Sequence, residues 1–315
     1  MNPMKFIHKY RTRIFPQLAF VILLAAFVNL SAAPAYPPEI PDTTVETYKT
    51  VDGIDLRAWI MTPQNHRTEK PVPVIVFFFG GGWVSGTPRQ FEQQSKYLAA
   101  RGMVAIMVDY RVKSRHGVIA KECVTDAKSA IRWVRKNAAR LGVDPDRIMA
   151  AGGSAGGHLA AACATLPLYD DPDEDADVSS KPNALVLFNP VLVLAPIPEM
   201  PEFPAERIAR LERRFGGNPE SFSPYHNLDS PSPPTLVFHG TADKTVPYST
   251  VVAFHEKMTS LGNRCELVAY KGAGHGFFNY GKRNNSFFID TVNKMDAFLV
   301  SLGYLEGVPE YTYLK

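Results

Sequence analysis

The 315-residue sequence predicts an α/β fold, a mostly parallel central sheet flanked by helices, and three observations carry that reading. Short apolar runs alternate along the chain with segments whose apolar residues recur three or four apart, the pattern of strands joined by crossover helices. Most of those runs are continuous, as in strands covered on both faces, and do not alternate as half-wet strands do. Hydrophobic residues make up 45% of the chain, which suits one large core in a chain too short for two full enzyme domains.

Residues 1–35 stand apart from that core. Lys5, Lys9, Arg11 and Arg13 precede an apolar run at 18–28, and the small residues Ser31, Ala32, Ala33 and Ala35 follow it, which is the layout of a cleaved signal peptide. The run is shorter than the ~20 residues of a membrane span, so cleavage is expected in preference to a retained anchor. Residues 36–315 then form a single catalytic domain, secreted or periplasmic, with no membrane association unless the leader stays. The four basic residues of the leader are unopposed by acids and exceed the whole net charge of +3, so nucleic acid is not an expected partner.

The elements follow in order. Residues 45–63 alternate apolar and polar around Asp52-Gly53, the signature of an antiparallel hairpin at a sheet edge. The core strands are the runs at 72–79, 103–108, 147–151, 184–188, 235–238 and 265–269. Between them Ala127, Ala130, Ile131 and Val134 share a helix face, as do Val251, Phe254, Met258 and Leu261, and then Phe288, Val292, Met295 and Leu299. Pro247 lies near a helix start and Gly262 just past its end. Between Pro190 and Pro234 the alternation breaks into a proline-rich insertion with one helical stretch at 205–215, either a small lid over the strand ends or a plain surface loop.

The chemistry concentrates at turns. Gly152-Gly153-Ser154-Ala155-Gly156-Gly157 joins a short apolar strand to a helical run, the context in which Gly-x-Ser-x-Gly presents a nucleophile. Gly152 and Gly156 remove bulk beside a strained serine, and the amide of Ala155, at the helix N-terminus, is placed to meet a developing oxyanion. Upstream, Phe77-Phe78-Phe79 ends a strand and Gly80-Gly81-Gly82-Trp83 follows.

This loop resembles the glycine-rich oxyanion loop of α/β-hydrolases in the hormone-sensitive-lipase-like and bacterial acetyl (xylan) and feruloyl esterase branch, which usually reads His-Gly-Gly-Gly. The resemblance runs in order from about Val45 to Leu302 and includes Asp109-Tyr110-Arg111 and the Gly-Gly-Ser-Ala-Gly-Gly-His string at 152–158. It implies an oxyanion hole of Gly81, Gly82 and Ala155. Phe79 stands where the family has histidine, which leaves the amides in place and changes the hydrogen bonding of the loop.

A serine needs a base, and histidine suits that task near neutrality. Of the eight histidines, His8 is in the leader, His66 and His116 sit in polar loops, His255 lies within a helix, and His239 precedes the candidate acid. His275 lies in a glycine-flanked loop directly after the last core strand, where an α/β-hydrolase carries its base. Asp243 follows the preceding strand and completes the order Ser, Asp, His; Asp229 and Glu266 are worse placed. His158 is expected to pack or hydrogen-bond, and Asp109, Arg111 and Asp126 to form scaffold.

Cys123, Cys163 and Cys265 form neither a disulfide framework nor a metal pattern, and the acidic stretch 170–177 lacks the glycine and distal glutamate of a calcium loop. No metal or cofactor is expected. Together these residues imply a secreted serine carboxylesterase that hydrolyses short acyl esters through an acyl-enzyme, its substrate a small ester or an acylated carbohydrate. The alternatives are a lipase-like or amide-cleaving relative, and a non-catalytic binding protein of the same fold. The imidazole implies turnover that falls on acidification through about pH 6.5.

Overall fold

The computed structural model describes residues 36–198, 203–309 and 311, and the residues from Pro38 onward form one compact unit. The signal-peptide assignment to residues 1–35 lies outside the described residues.

Eight strands form one sheet: β1 Thr44–Val51, β2 Ile54–Met61, β3 Val72–Phe78, β4 Val104–Val108, β5 Val143–Gly153, β6 Ala184–Phe188, β7 Thr235–Gly240 and β8 Cys265–Tyr270. Their order across the sheet is β1-β2-β4-β3-β5-β6-β7-β8. The hairpin β1-β2 and the β2-β4 pair are antiparallel, and the other five pairings are parallel. The hairpin turns at Asp52 and Gly53, both at positive φ, as a tight two-residue turn requires.

The helices are α1 Glu92–Ala100, α2 Lys113–His116, α3 Ala120–Lys136, α4 Ala138–Leu141, α5 Ala155–Thr165, α6 Ala205–Phe215, α7 Tyr248–Ser260 and α8 Ser286–Ser301. They explain the continuous apolar strands. Along β3, Val74, Val76 and Phe78 enter one core with α3, α5 and α7, while Ile75 and Phe77 enter a second with α1 and α8. Successive side chains point to opposite faces, so a strand covered on both sides must be apolar at every position.

From β3 the chain crosses through α1 to β4 on one side, and from β4 it crosses back through α3 to β5 on the other. The strand order therefore reverses at β3, and a crevice opens at the carboxyl ends of β3 and β5, the usual ligand position in a doubly wound sheet. The glycine-rich loop after Phe78 and the turn at Ser154 both emerge there.

Three local departures have physical reasons. Helix α1 is absent from the sequence reading because it buries polar Gln94 and Ser95 beside Tyr97 and Leu98, which blurs its apolar stripe. Strand β5 begins at Val143, paired with Val72, ahead of its apolar run because the intervening residues are polar and partly exposed. Strand β8 is an edge strand, buried at Cys265 and Tyr270 and open between them, and Leu261, grouped above with the buried face of α7, is its 37% exposed C-cap. Among the described residues no helix is long and apolar enough to cross a membrane.

Candidate active site

Ser154 leaves β5 with φ 54° and ψ −116°, a backbone conformation costing on the order of 1–3 kcal/mol that its surroundings must enforce. Its amide donates to Phe188 O at 2.9 Å, and its carbonyl accepts from His158 N at 3.0 Å. The flanking glycines are steric necessities. A Cβ on Gly152 would stand 2.3 Å from Gly156 O, and one on Gly156 would stand 2.0 Å from Phe78 O.

Three loops converge on that turn. His275 Nε2 lies 2.9 Å from Ser154 Oγ, and His275 Nδ1 lies 2.7 Å from Asp243 Oδ2. Because an ionised carboxylate only accepts, Nδ1 carries the proton and Nε2 is left to accept from the hydroxyl. Asp243 is buried, and its other oxygen accepts from the amides of Thr245 and Val246 at 2.8 and 3.0 Å. Burial works to raise the Asp243 pKa, but hydrogen bonds from His239, His275 and Val246 and the charge of His275 outweigh it, holding the carboxyl well below the usual range. A hydroxyl, an imidazole and a carboxylate so linked can move a proton off the hydroxyl as it attacks an electrophile.

The structure adds residues that the sequence reading did not single out. Asn189, just after β6, accepts from Gly276 N at 3.0 Å and so ties the His275 loop to the sheet. Gln90 accepts from Gly80 N at 2.6 Å and donates to Asn279 Oδ1 at 3.0 Å, linking the glycine-rich loop to the His275 loop. Asn279 and Gly276 lie 189 and 87 residues from Gln90 and Asn189, so no local pattern marks the links to the His275 loop.

Gly82 and Ala155 line the same cavity as Ser154, a space of about 430 Å³. Gly81, at φ 130°, forms the turn behind them, its carbonyl accepting from the amides of Val84 and Ser85. Phe79, in the family's histidine position, stacks on Tyr110 with ring centroids 4.1 Å apart, and the Tyr110 hydroxyl donates to Phe79 O at 2.6 Å. Backbone carbonyls thus anchor the loop.

His158 is fully buried: its Nδ1 accepts from Trp83 Nε1 at 3.3 Å and its Nε2 donates to Phe222 O at 2.8 Å. Desolvation, only partly opposed by the Phe222 bond, lowers its pKa to about 4, so it is a neutral strut between the glycine-rich loop and α5. Asp126 receives Arg111 through Nε and Nη2, both at 2.9 Å, as buried scaffold. The acidic stretch is held by cations: Asp170 pairs with Lys128 and Arg132, Asp171 with Lys49, and Glu174 with Arg132. The three cysteines are free and buried.

The helical part of the insertion between Pro190 and Pro234 is a wall of the cavity, since α6 contributes Arg207, Arg210, Leu211 and Arg214 to its lining. Phe277 and Phe278 lie in the core, and Tyr280 is exposed.

The model of the BD-FAE family matches residues 60–258. The chain belongs to the BD-FAE family. It is thus an α/β-hydrolase of the hormone-sensitive-lipase-like esterase branch. Esterase LipC of Mycobacterium tuberculosis is 32% identical over 223 residues, 66% of this chain and 54% of LipC. The isoprenylcysteine alpha-carbonyl methylesterase ICME of Arabidopsis thaliana is 26% identical over 286 residues, 85% of this chain and 64% of that protein. The chain thus spans between half and two thirds of the length of these curated relatives.

Solved structures match over nearly their full length. Native esterase 2 of the planctomycete Thermogutta terrifontis is 50% identical, with a TM-score of 0.84 over 88% of this chain and 98% of that one. The same esterase has been solved with butyrate bound, and also phosphorylated by paraoxon, the latter at 49% identity and a TM-score of 0.81 over 87% of this chain and 100% of that one.

Proposed function

We propose that this BD-FAE member is a carboxylesterase in which Ser154 is the nucleophile, His275 the general base and Asp243 the carboxylate that orients it. The observation that carries the reading is the unbroken hydrogen-bonded chain from Ser154 Oγ through both nitrogens of His275 to Asp243, opening on a cavity. Ser154 Oγ attacks the ester carbonyl carbon while His275 Nε2 takes the hydroxyl proton. The oxyanion is held by amides of the Gly81-Gly82 turn and of Ala155, whose position at the start of α5 leaves it no carbonyl one turn earlier. Collapse breaks the bond to the alcohol, which leaves with the proton from His275. Water then repeats the sequence on the acyl-enzyme and releases the acid.

The acyl group proposed is short. A cavity of about 430 Å³ lies toward the small end of ligand sites, and esterase 2 has been solved with propionate and with butyrate. Small esters or acetylated carbohydrates fit that limit. Export is proposed on the sequence pattern of the first 35 residues alone. The test is an acyl series of 4-nitrophenyl esters from acetate to octanoate beside acetylated xylan and N-formylkynurenine. The proposal expects kcat/KM to peak at or below butyrate; a maximum at octanoate, or turnover of the formamide alone, overturns it.

A further inference from the structure

The cavity at Ser154 is lined by four cationic side chains, Arg207, Arg210, Arg214 and Lys244, and among the described residues by no acidic one. Three of them stand on α6 at intervals of three and four residues, which puts them on one helix face together with the buried Leu211. Like charges at those spacings destabilise a helix, so the arrangement is not what helix stability alone selects.

Among the described residues none of the four enters an ion pair, although Glu206 stands four residues before Arg210 at the spacing of a helical pair. Arg207 lies over the Phe203 ring at 4.2 Å, and Arg214 over Trp83 at 5.8 Å, while Arg214 Nη1 donates to Gly82 O at 3.2 Å. These contacts hold the Arg207 and Arg214 guanidinium groups and supply no negative charge. Burial, and then the neighbouring charge of Arg210, lower the pKa of both Arg207 and Arg214, the mark of cations crowded into a partly dry space.

The charge extends outward. A second, smaller cavity of about 150 Å³ shares Trp83, Arg210 and Arg214 with the first and adds Lys113 and Arg213. A group reaching α6 from an ester held at Ser154 therefore meets a cationic surface on both sides of Arg210.

We infer that the substrate is an ester carrying a fixed anionic group, a carboxylate or a phosphate, on the part that lies along α6. This inference rests on the esterase reading of Ser154 and deepens it by naming the charge class of the substrate. Guanidinium groups bind such anions through paired hydrogen bonds, Arg207 and Arg214 from half-buried positions and Arg210 from an exposed one, and among the described lining residues no acid competes.

The test compares isosteric pairs with background hydrolysis subtracted. 4-Nitrophenyl hemiglutarate against 4-nitrophenyl valerate places the charge on the acyl side, and 4-acetoxybenzoate against 4-acetoxybenzamide places it on the alcohol side. In at least one pair the wild type is expected to favour the anion in kcat/KM by about tenfold or more, the range of one charge-assisted hydrogen bond. That ratio is expected to shrink as NaCl rises, to fall severalfold in Arg207→Gln/Arg210→Gln, and to fall further in Arg210→Glu. A wild-type ratio at or below one in both pairs, or a ratio unmoved by the substitutions, overturns the inference and leaves the esterase reading intact. Failure to turn over any of the four esters strikes the esterase reading itself, and this inference falls with it.

Discussion

His239 Nε2 lies 3.4 Å from Asp243 Oδ2, and both side chains are fully buried. The same Nε2 donates to Val246 O at 2.9 Å, so its proton is shared between that carbonyl and the carboxylate facing His275. His239 is not among the residues that line the cavity, so an effect of its removal on turnover would pass through Asp243. His239→Gln is expected to lower kcat by about tenfold with little change in KM, as for a small misplacement of the orienting group. Steady-state kinetics on a 4-nitrophenyl ester check it; an effect confined to KM, or none, contradicts it.

Asp243→Asn should cost far more. An amide can donate to His275 Nδ1 and so favour the tautomer that cannot take the serine proton, a loss of about a thousandfold or more in kcat. The same variant tests the depressed pKa. The folded carboxyl titrates below its unfolded value of about 3.9, so its ionised form stabilises the fold above that pH, and the contribution is lost as pH falls further. The stability difference between wild type and Asp243→Asn, from urea unfolding, should therefore move against the wild type between about pH 5 and pH 3. A constant difference contradicts the assignment.

His158 supplies a second pH signature. Its folded pKa of about 4 lies below the unfolded value of about 6.5, so the unfolded chain binds the extra proton first. Stability from this group is full above pH 6.5 and drains away as pH falls toward 4. Relative to His158→Gln, the wild type should be less favoured at pH 5 than at pH 7.5 by about 2 kcal/mol, measured as urea midpoints. A difference independent of pH would show that the imidazole is not held neutral.

Much of this molecule is legible in its residue order, because local chemistry dictates it. The hairpin follows from Asp52-Gly53, the two-faced strands from unbroken apolar runs such as Val74 to Phe78, and the turn at Ser154 from glycines whose replacement would strike Gly156 O and Phe78 O. What is hidden depends on distant partners. Gln90 and Asn189 read as ordinary polar residues until the fold brings them to Asn279 and Gly276, and α1 carries buried polar side chains in place of a clean apolar stripe. The cationic face of α6 is spelled out by Arg207, Arg210 and Arg214, yet only the packing of that helix over the cavity shows where the charges stand.

The central claim is that Ser154 Oγ is the reacting atom and that His275 makes it so. Fluorophosphonate labelling followed by intact-mass and peptide mass spectrometry tests it most directly. One adduct per chain is expected, located on Ser154, absent in Ser154→Ala and formed at least about a hundredfold more slowly in His275→Ala, on the order of general-base catalysis. A folded wild type that takes no label, or a label on another residue that persists in Ser154→Ala, would contradict it.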